Sequence, residues 1–408
     1  MTYQDALCKL KALDQEHLLQ FYDTLSADEQ QALLQQIEET DFSYLQQFAL
    51  RRQAAKRGEV SPLPAMTLSA IDKHREEYRK AGIEAIRAGK LACVLLAGGM
   101  GTRLGSNGPK GIYDIGITHP VYIFQRLFEE LQDTVKAAGA LMHFFIMTSD
   151  ANDEMTRSFL AEHNYFGYPE EYVHFFRQAM APCADENGKL LLDAPSHLAV
   201  SPNGNGGWLL SLSESGMLRI AEEAGVEWLN VFAVDNVLQK IGDPVFFGAA
   251  LESGCASASK VVRKSEPAEK VGVMCLEDGK PSVIEYFEMS QDMLEARNED
   301  GEYAYYFGVI LNYLFRLKDS VAVMHEKMPL HFAHKAVPHI GTDGTTVRPS
   351  EPNAWKFEYF IFDLLHELDG CLPFEVIREK EFAPVKNRTG VDSVDSARAL
   401  LSAQGYEL

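Results

Sequence analysis

Over roughly the first 88 residues, apolar side chains such as Leu33, Leu34 and Ile37 recur at helical spacing within a polar background rich in Gln and Glu. Ser26 and Glu29, placed just ahead of that stripe, have the spacing of a reciprocal capping box. The pattern predicts an all-helical segment over 1–88 whose charges form a solvated face. From about residue 89 it changes to short apolar runs alternating with helical stretches, which predicts βαβ units and an α/β fold with a mostly parallel sheet flanked by helices. The expected division is a helical segment 1–88, an α/β domain 89–376 and a short C-terminal segment 377–408.

Four of the apolar runs end in chemically useful groups. Leu91 to Leu96 runs into a glycine-rich loop, His143 to Met147 into Thr148-Ser149-Asp150, Tyr172 to Phe176 into Arg177-Gln178, and Trp228 to Val234 into Asp235-Asn236. If these strands are parallel, their ends share one edge of the sheet, where open α/β sheets bind ligands.

The loop Leu96-Ala97-Gly98-Gly99-Met100-Gly101-Thr102-Arg103-Leu104-Gly105, continued by Gly108-Pro109-Lys110-Gly111, carries the strongest chemistry. Glycines let phosphate oxygens approach backbone N–H groups that a Cβ would block. Arg103 offers a planar fork to two phosphate oxygens, and Lys110 a point charge further along a polyphosphate. The loop is neither of two familiar phosphate motifs. Lys110 is followed by Gly111-Ile112 rather than a hydroxyl residue, and Gly99, Gly101 and Gly105 run G-x-G-x-x-x-G without opening directly into a helix. The second mismatch argues against a nicotinamide dehydrogenase.

Charge narrows the partners. With 38 basic and 59 acidic side chains the formal net charge is -21, which argues against nucleic acid and anionic membrane. An anionic substrate then needs a local cluster of cations, and Arg103, Lys110, Lys260, Lys264, Lys386 and Arg388 are expected to supply it. The six cysteines lack C-x-x-C spacing, no signal-peptide pattern opens the chain, and no apolar stretch reaches membrane-spanning length. A cytoplasmic location is expected.

Several single residues are candidates with two readings each. Asp235, at a strand end, suits a magnesium carboxylate or a turn with Asn236. Gln178 can donate and accept in one plane, as the imide edge of uracil requires, or can face solvent. Gly204 and Asn205, in Ser201-Pro202-Asn203-Gly204-Asn205-Gly206-Gly207, fit close contact with a base and ribose or a plain turn. Glu285 suits sugar hydroxyls or an exposed strand position, and Lys386 a phosphate or the surface.

Taken together, the glycine loop with Pro109-Lys110-Gly111 resembles the signature of the eukaryotic-type UDP-sugar pyrophosphorylases, and within them the N-acetylglucosamine branch. The likeness continues collinearly through Phe175-Phe176-Arg177-Gln178, Asn203-Gly204-Asn205-Gly206-Gly207, Val234-Asp235-Asn236, Lys260-Val261-Val262, Glu285-Tyr286 and Pro384-Val385-Lys386-Asn387. The resemblance implies a Rossmann-like nucleotidyltransferase core that joins UTP to a sugar 1-phosphate, most readily N-acetylglucosamine 1-phosphate. It implies that Leu96, Ala97, Gly98, Gly99, Gln178, Gly204 and Asn205 hold uridine, that Arg103, Lys110 and Lys386 act on the phosphates, that Asp235 holds Mg2+ and that Glu285 binds the sugar.

Two departures stand out. Where the acetylglucosamine enzymes carry Asn-Ala-Gly-Asn-Ile, this chain has Tyr306-Phe307-Gly308-Val309-Ile310, so both amides are lost and Val309 cannot hydrogen-bond the sugar. That leaves room for a UDP-glucose or broad-specificity enzyme, or a catalytically silent UDP-sugar-binding protein. The chain also stops at Leu408, short of the relatives' C-terminal domain, from which a monomer is expected.

Overall fold

The structure, a computed structural model, describes residues 1–50, 57–325 and 328–408. The chain forms two compact units: Met1–Lys56, Ala179–Gly207 and Met328–Phe360 make the first, and Arg57–Gln178, Trp208–Lys327 and Ile361–Leu408 the second.

In the first unit the helices Tyr3–Ala12, Ala27–Glu39 and Ser43–Leu50 share a core with short strands. The capping box forms as the sequence predicts: Ser26 Oγ accepts from the Glu29 N–H, and Glu29 accepts from the Ser26 N–H at 2.9 Å. Leu33, Leu34 and Ile37 are the buried face of that helix. Strand Ala354–Glu358 pairs antiparallel with both His331–Lys335 and Ala184–Asp185. The N-terminal segment is thus not helical throughout or grouped only with itself. Its first 50 residues pack on strands from two distant stretches, whereas the helix Leu68–Arg87 buries Ile71, Tyr78 and Ile86 in the second unit.

Among the described residues the second unit is built on a ten-stranded mixed sheet. Trp228–Ala233 pairs parallel with Leu91–Leu96, which pairs parallel with Phe144–Thr148, which pairs parallel with Val173–Arg177. All six residues of Leu91–Leu96 are buried, as a strand covered on both faces requires. Each such aliphatic side chain contributes roughly 1.5–3 kcal/mol. The long strand Phe307–Arg316 joins antiparallel to Trp228–Ala233 and carries a register shift opposite Ser259/Val261, with Leu311 at φ +53°. Among the described residues no helix is long and apolar enough to cross a membrane.

Lys260 and Lys264 do not join a substrate-facing cation cluster. Lys260 is 0% exposed; its Nζ pairs with Asp243 Oδ2 at 2.9 Å and with Glu381. Burial works against its charge, but the two carboxylates outweigh it and raise the ammonium's pKa. Lys264 is also buried and donates to the Pro267 carbonyl. The reason is the strand: Ser257–Arg263 lies inside the sheet, between Phe307–Arg316 and Cys371–Glu375, so its polar side chains must be satisfied internally. Lys260→Met should leave the buried Glu381 and the part-buried Asp243 without this cation, Lys240 remaining 3.8 Å from Glu381, and lower stability by about 3–5 kcal/mol, read as an earlier urea unfolding midpoint.

Candidate active site

Because the strands ending at Leu96, Thr148, Arg177 and Ala233 are mutually parallel, their carboxyl ends lie along one edge of the sheet. The glycine loop leaves the first of them and turns back on itself. Gly101 N–H donates to Gly108 O at 2.9 Å and Lys110 N–H to Gly99 O at 3.1 Å, which returns Lys110 to the strand edge. Short 3-10 turns at Thr102–Leu104 and Lys110–Ile112 fix the two cations. Arg103 is exposed and makes no ion pair among the described residues.

Lys110 Nζ stands 3.8 Å from Asp235 Oδ2, with the two side chains 19% and 20% exposed. The structure therefore brings together two residues 125 positions apart, each at the exit of a parallel strand. Lys386 joins them through the backbone. Val385 N–H donates to the Asp235 carbonyl at 2.8 Å, and the Asn236 side chain donates to Glu381 O at 2.7 Å while accepting from the Ala383 N–H at 2.9 Å. Asn236 is buried, so the 381–385 segment is held on the strand end by satisfied polar contacts. Lys386 Nζ pairs with Asp392 Oδ2 at 3.1 Å. Arg388 lies against the glycine loop, its Nη1 3.6 Å from where a Cβ of Gly105 would stand.

Gln178 is buried rather than facing solvent. Its N–H donates to Thr148 O at 2.8 Å, and its Oε1 would stand 2.5 Å from a Cβ on Gly98, so glycine at 98 is what admits the amide. Leu96 and Ala97 are buried beneath the loop.

Glu285 is not within a strand; it follows Lys280–Ile284 and starts a turn in which Glu288 N–H donates to Glu285 O at 2.9 Å. Ile284 pairs with Val273, which pairs with Gly308 near the start of Phe307–Arg316. That strand runs opposite to Trp228–Ala233, so its start, and Glu285 with it, lies toward the carboxyl edge of the parallel strands. A Cβ on Gly272 would stand 3.6 Å from both Glu285 Oε1 and Val309 Cγ2, and Val309 N–H donates to Gly272 O at 2.9 Å. Glu285, Gly272 and Val309 thus form one neighbourhood, a carboxylate beside an apolar wall.

Gly204 and Asn205 belong to the first unit. Gly204 has φ +87°, and a Cβ there would stand 2.2 Å from Tyr359 O, so this position requires glycine on two counts.

Among the described residues no group of three or more His, Cys, Asp or Glu is placed to hold a metal. A lone, partly exposed carboxylate such as Asp235 suits an ion that takes most of its ligands from phosphate and water, as magnesium does. Ser149, Asn152 and Asn236 fasten the loop and the 381–385 segment; Ser149 and Asn236 stand at strand ends the sequence singles out, whereas Asn152 carries no motif and only its place at a helix start hints at a role.

Residues 40–405 match the family described as UTP–glucose-1-phosphate uridylyltransferase. The chain is 38% identical over 397 residues to the UDP-N-acetylglucosamine pyrophosphorylase of Saccharomyces cerevisiae, covering 93% of this chain and 82% of the relative. It is 36% identical to UDP-N-acetylglucosamine diphosphorylase 1 of Arabidopsis thaliana, covering 96% and 81%. The crystal structure of the Trypanosoma brucei uridine diphosphate N-acetylglucosamine pyrophosphorylase in complex with inhibitor superposes with a TM-score of 0.84 at 26% identity, covering 99% of this chain and 85% of that one. A match over most of the chain, on a sheet edge furnished as above, establishes that the chain belongs to the UTP–glucose-1-phosphate uridylyltransferase family and is a nucleotidyltransferase.

Proposed function

We propose that this uridylyltransferase joins UTP to N-acetylglucosamine 1-phosphate, releasing pyrophosphate and UDP-N-acetylglucosamine. The observation that carries the reading is the convergence of Lys110, Asp235 and the Lys386 segment at the edge where the glycine loop emerges. The names of the yeast and Arabidopsis relatives supply the sugar. The six cysteines are free thiols, which fits a reducing cytoplasm.

In this reading the loop backbone from Leu96 to Gly99, with Gln178, holds the uridine. Arg103 and Lys110 bind the triphosphate and Lys386 meets the phosphates. Glu285 accepts from sugar hydroxyls. The sugar phosphate oxygen attacks the α-phosphorus in line while the bond to the departing pyrophosphate breaks, so no covalent enzyme intermediate is needed. The protein's work is to align two polyanions and oppose the charge growing on the leaving oxygen. Asp235 would hold Mg2+, which when bound adds Lewis-acid neutralisation of the phosphates.

A second reading, a UDP-glucose or broad-specificity enzyme, is favoured by Val309 beside Glu285 and Gly272, where an apolar wall removes a hydrogen-bonding partner. One assay separates the two: purified protein with UTP, magnesium and a panel of hexose and N-acetylhexosamine 1-phosphates. Preference for N-acetylglucosamine 1-phosphate in kcat/KM is the expected result, and V309N is expected to sharpen discrimination among the sugars by about tenfold. No pyrophosphate release with any acceptor would sink the proposal and point to a silent UDP-sugar-binding protein.

A further inference from the structure

One buried polar side chain beside the loop has no part in the roles above. Asn152 occupies the N-cap position of the helix Asp153–Glu162, where an Asn side chain ordinarily accepts from an amide of the first turn. Here it makes no cap bond. Its Nδ2 instead donates to Ala97 O at 2.9 Å and Gly99 O at 3.4 Å, while its Oδ1 accepts the Ser149 N–H at 2.8 Å. Ser149 Oγ in turn donates to Gly98 O at 2.9 Å. Asn152 is 1% exposed and Ser149 2%, so these bonds do not compete with bulk water.

Two consecutive carbonyls, those of residues 97 and 98, are therefore held toward the turn that starts this helix, and the third, that of Gly99, is shared between Asn152 at 3.4 Å and the Lys110 N–H at 3.1 Å. In a trans peptide the carbonyl and the following N–H point in opposite directions. Fixing the three carbonyls thus turns the N–H groups of Gly98, Gly99 and Met100 away from that turn. None of these amides donates to another group among the described residues. A helix that gives up its own cap to orient a loop with three uncommitted donors is arranged for what those donors bind.

We propose that Asn152 is a positioning residue for the nucleotide: it holds the carbonyls of Ala97 and Gly99 back so that three successive backbone N–H groups face the bound UTP. The assignment rests on the nucleotide reading of the loop. Without the clamp, carbonyl oxygens could rotate toward an anionic ligand and repel it.

N152D tests it with little change in size. A carboxylate still accepts from Ser149 and suits a helix N-terminus, but it cannot donate and sets a negative charge beside two carbonyl oxygens. The Kd for UTP by calorimetry should rise by about 10–100-fold. KM for UTP should rise with it while KM for the sugar 1-phosphate stays near wild type, and the buried, unpaired charge should also lower the unliganded melting temperature, so affinities are compared well below that midpoint. N152T, which keeps a shorter donor and acceptor, should fall between the two. Should N152D fail to fold, S149A removes only the bond to Gly98 O, and a severalfold rise in Kd is expected. Wild-type UTP affinity in the folded variants, or an equal loss for both substrates, would overturn the assignment. A wild-type protein that binds no UTP would overturn the nucleotide reading and this assignment with it.

Discussion

Lys110→Ala is expected to lower kcat by about two to three orders of magnitude, the scale seen when a single group stabilising transition-state charge is removed. The loop should survive the change, because its return is made by backbone bonds between Gly101 and Gly108 and between Lys110 and Gly99 that alanine retains. The cost to stability should be small for a second reason. The partner left behind, Asp235, is 20% exposed and can be solvated. Before substrate binds, the Lys110 ammonium is engaged with Asp235 at 3.8 Å. A triphosphate would compete for that ammonium, freeing Asp235 for other work. Lys110→Arg should recover part of the rate, since a guanidinium keeps the charge but not the compact geometry. Steady-state pyrophosphate release and thermal melting decide the matter. A near-wild-type kcat for K110A would remove Lys110 from the phosphate site.

Asp235→Asn should be comparably damaging for a different reason. The substitution keeps size and the backbone carbonyl that accepts from Val385, so the 381–385 segment should stay docked. Only the negative charge is lost. Turnover should fall by roughly two orders of magnitude or more, and half-maximal activity should require more magnesium, because an amide oxygen is a poorer ligand for a hard divalent cation than a carboxylate. Calorimetric titration of magnesium with UTP present supplies a second readout. An unchanged magnesium dependence with full activity would show that this carboxylate holds no metal.

Much of the site was legible because it is local. Each of the four strands that form its floor is a mostly apolar run, and the group that matters follows it within two residues: Gly98, Ser149, Gln178 and Asp235. The capping box of Ser26 and Glu29 was readable for the same reason, being a relation among neighbours. What escaped is non-local. Nothing in residues 1–50 announces that they share a core with Ala184, Leu190 and Phe357, since the strands involved are only two to five residues long and carry little periodicity. The sequence points Lys260 to a substrate-facing cation cluster because its two carboxylate partners, Asp243 and Glu381, are 17 and 121 residues away. Of the two readings of Glu285, the exposed strand position misses by one residue, because the strand ends at Ile284 and strand boundaries are weakly marked in sequence. Asn152 was invisible because its side chain does something other than what its position in a helix suggests.

The common direction of the four parallel strands has a consequence for how such a protein can diverge. Their interiors are committed to the core, while the residues just past their carboxyl ends serve twice, holding the loop and the 381–385 segment in place and facing the candidate site. Val309, near the start of the neighbouring antiparallel strand, lies toward the same edge but fastens nothing through its side chain. A change of acceptor preference would therefore be sought first at the few border side chains that fasten nothing, since the others cannot vary without loosening the loop they hold.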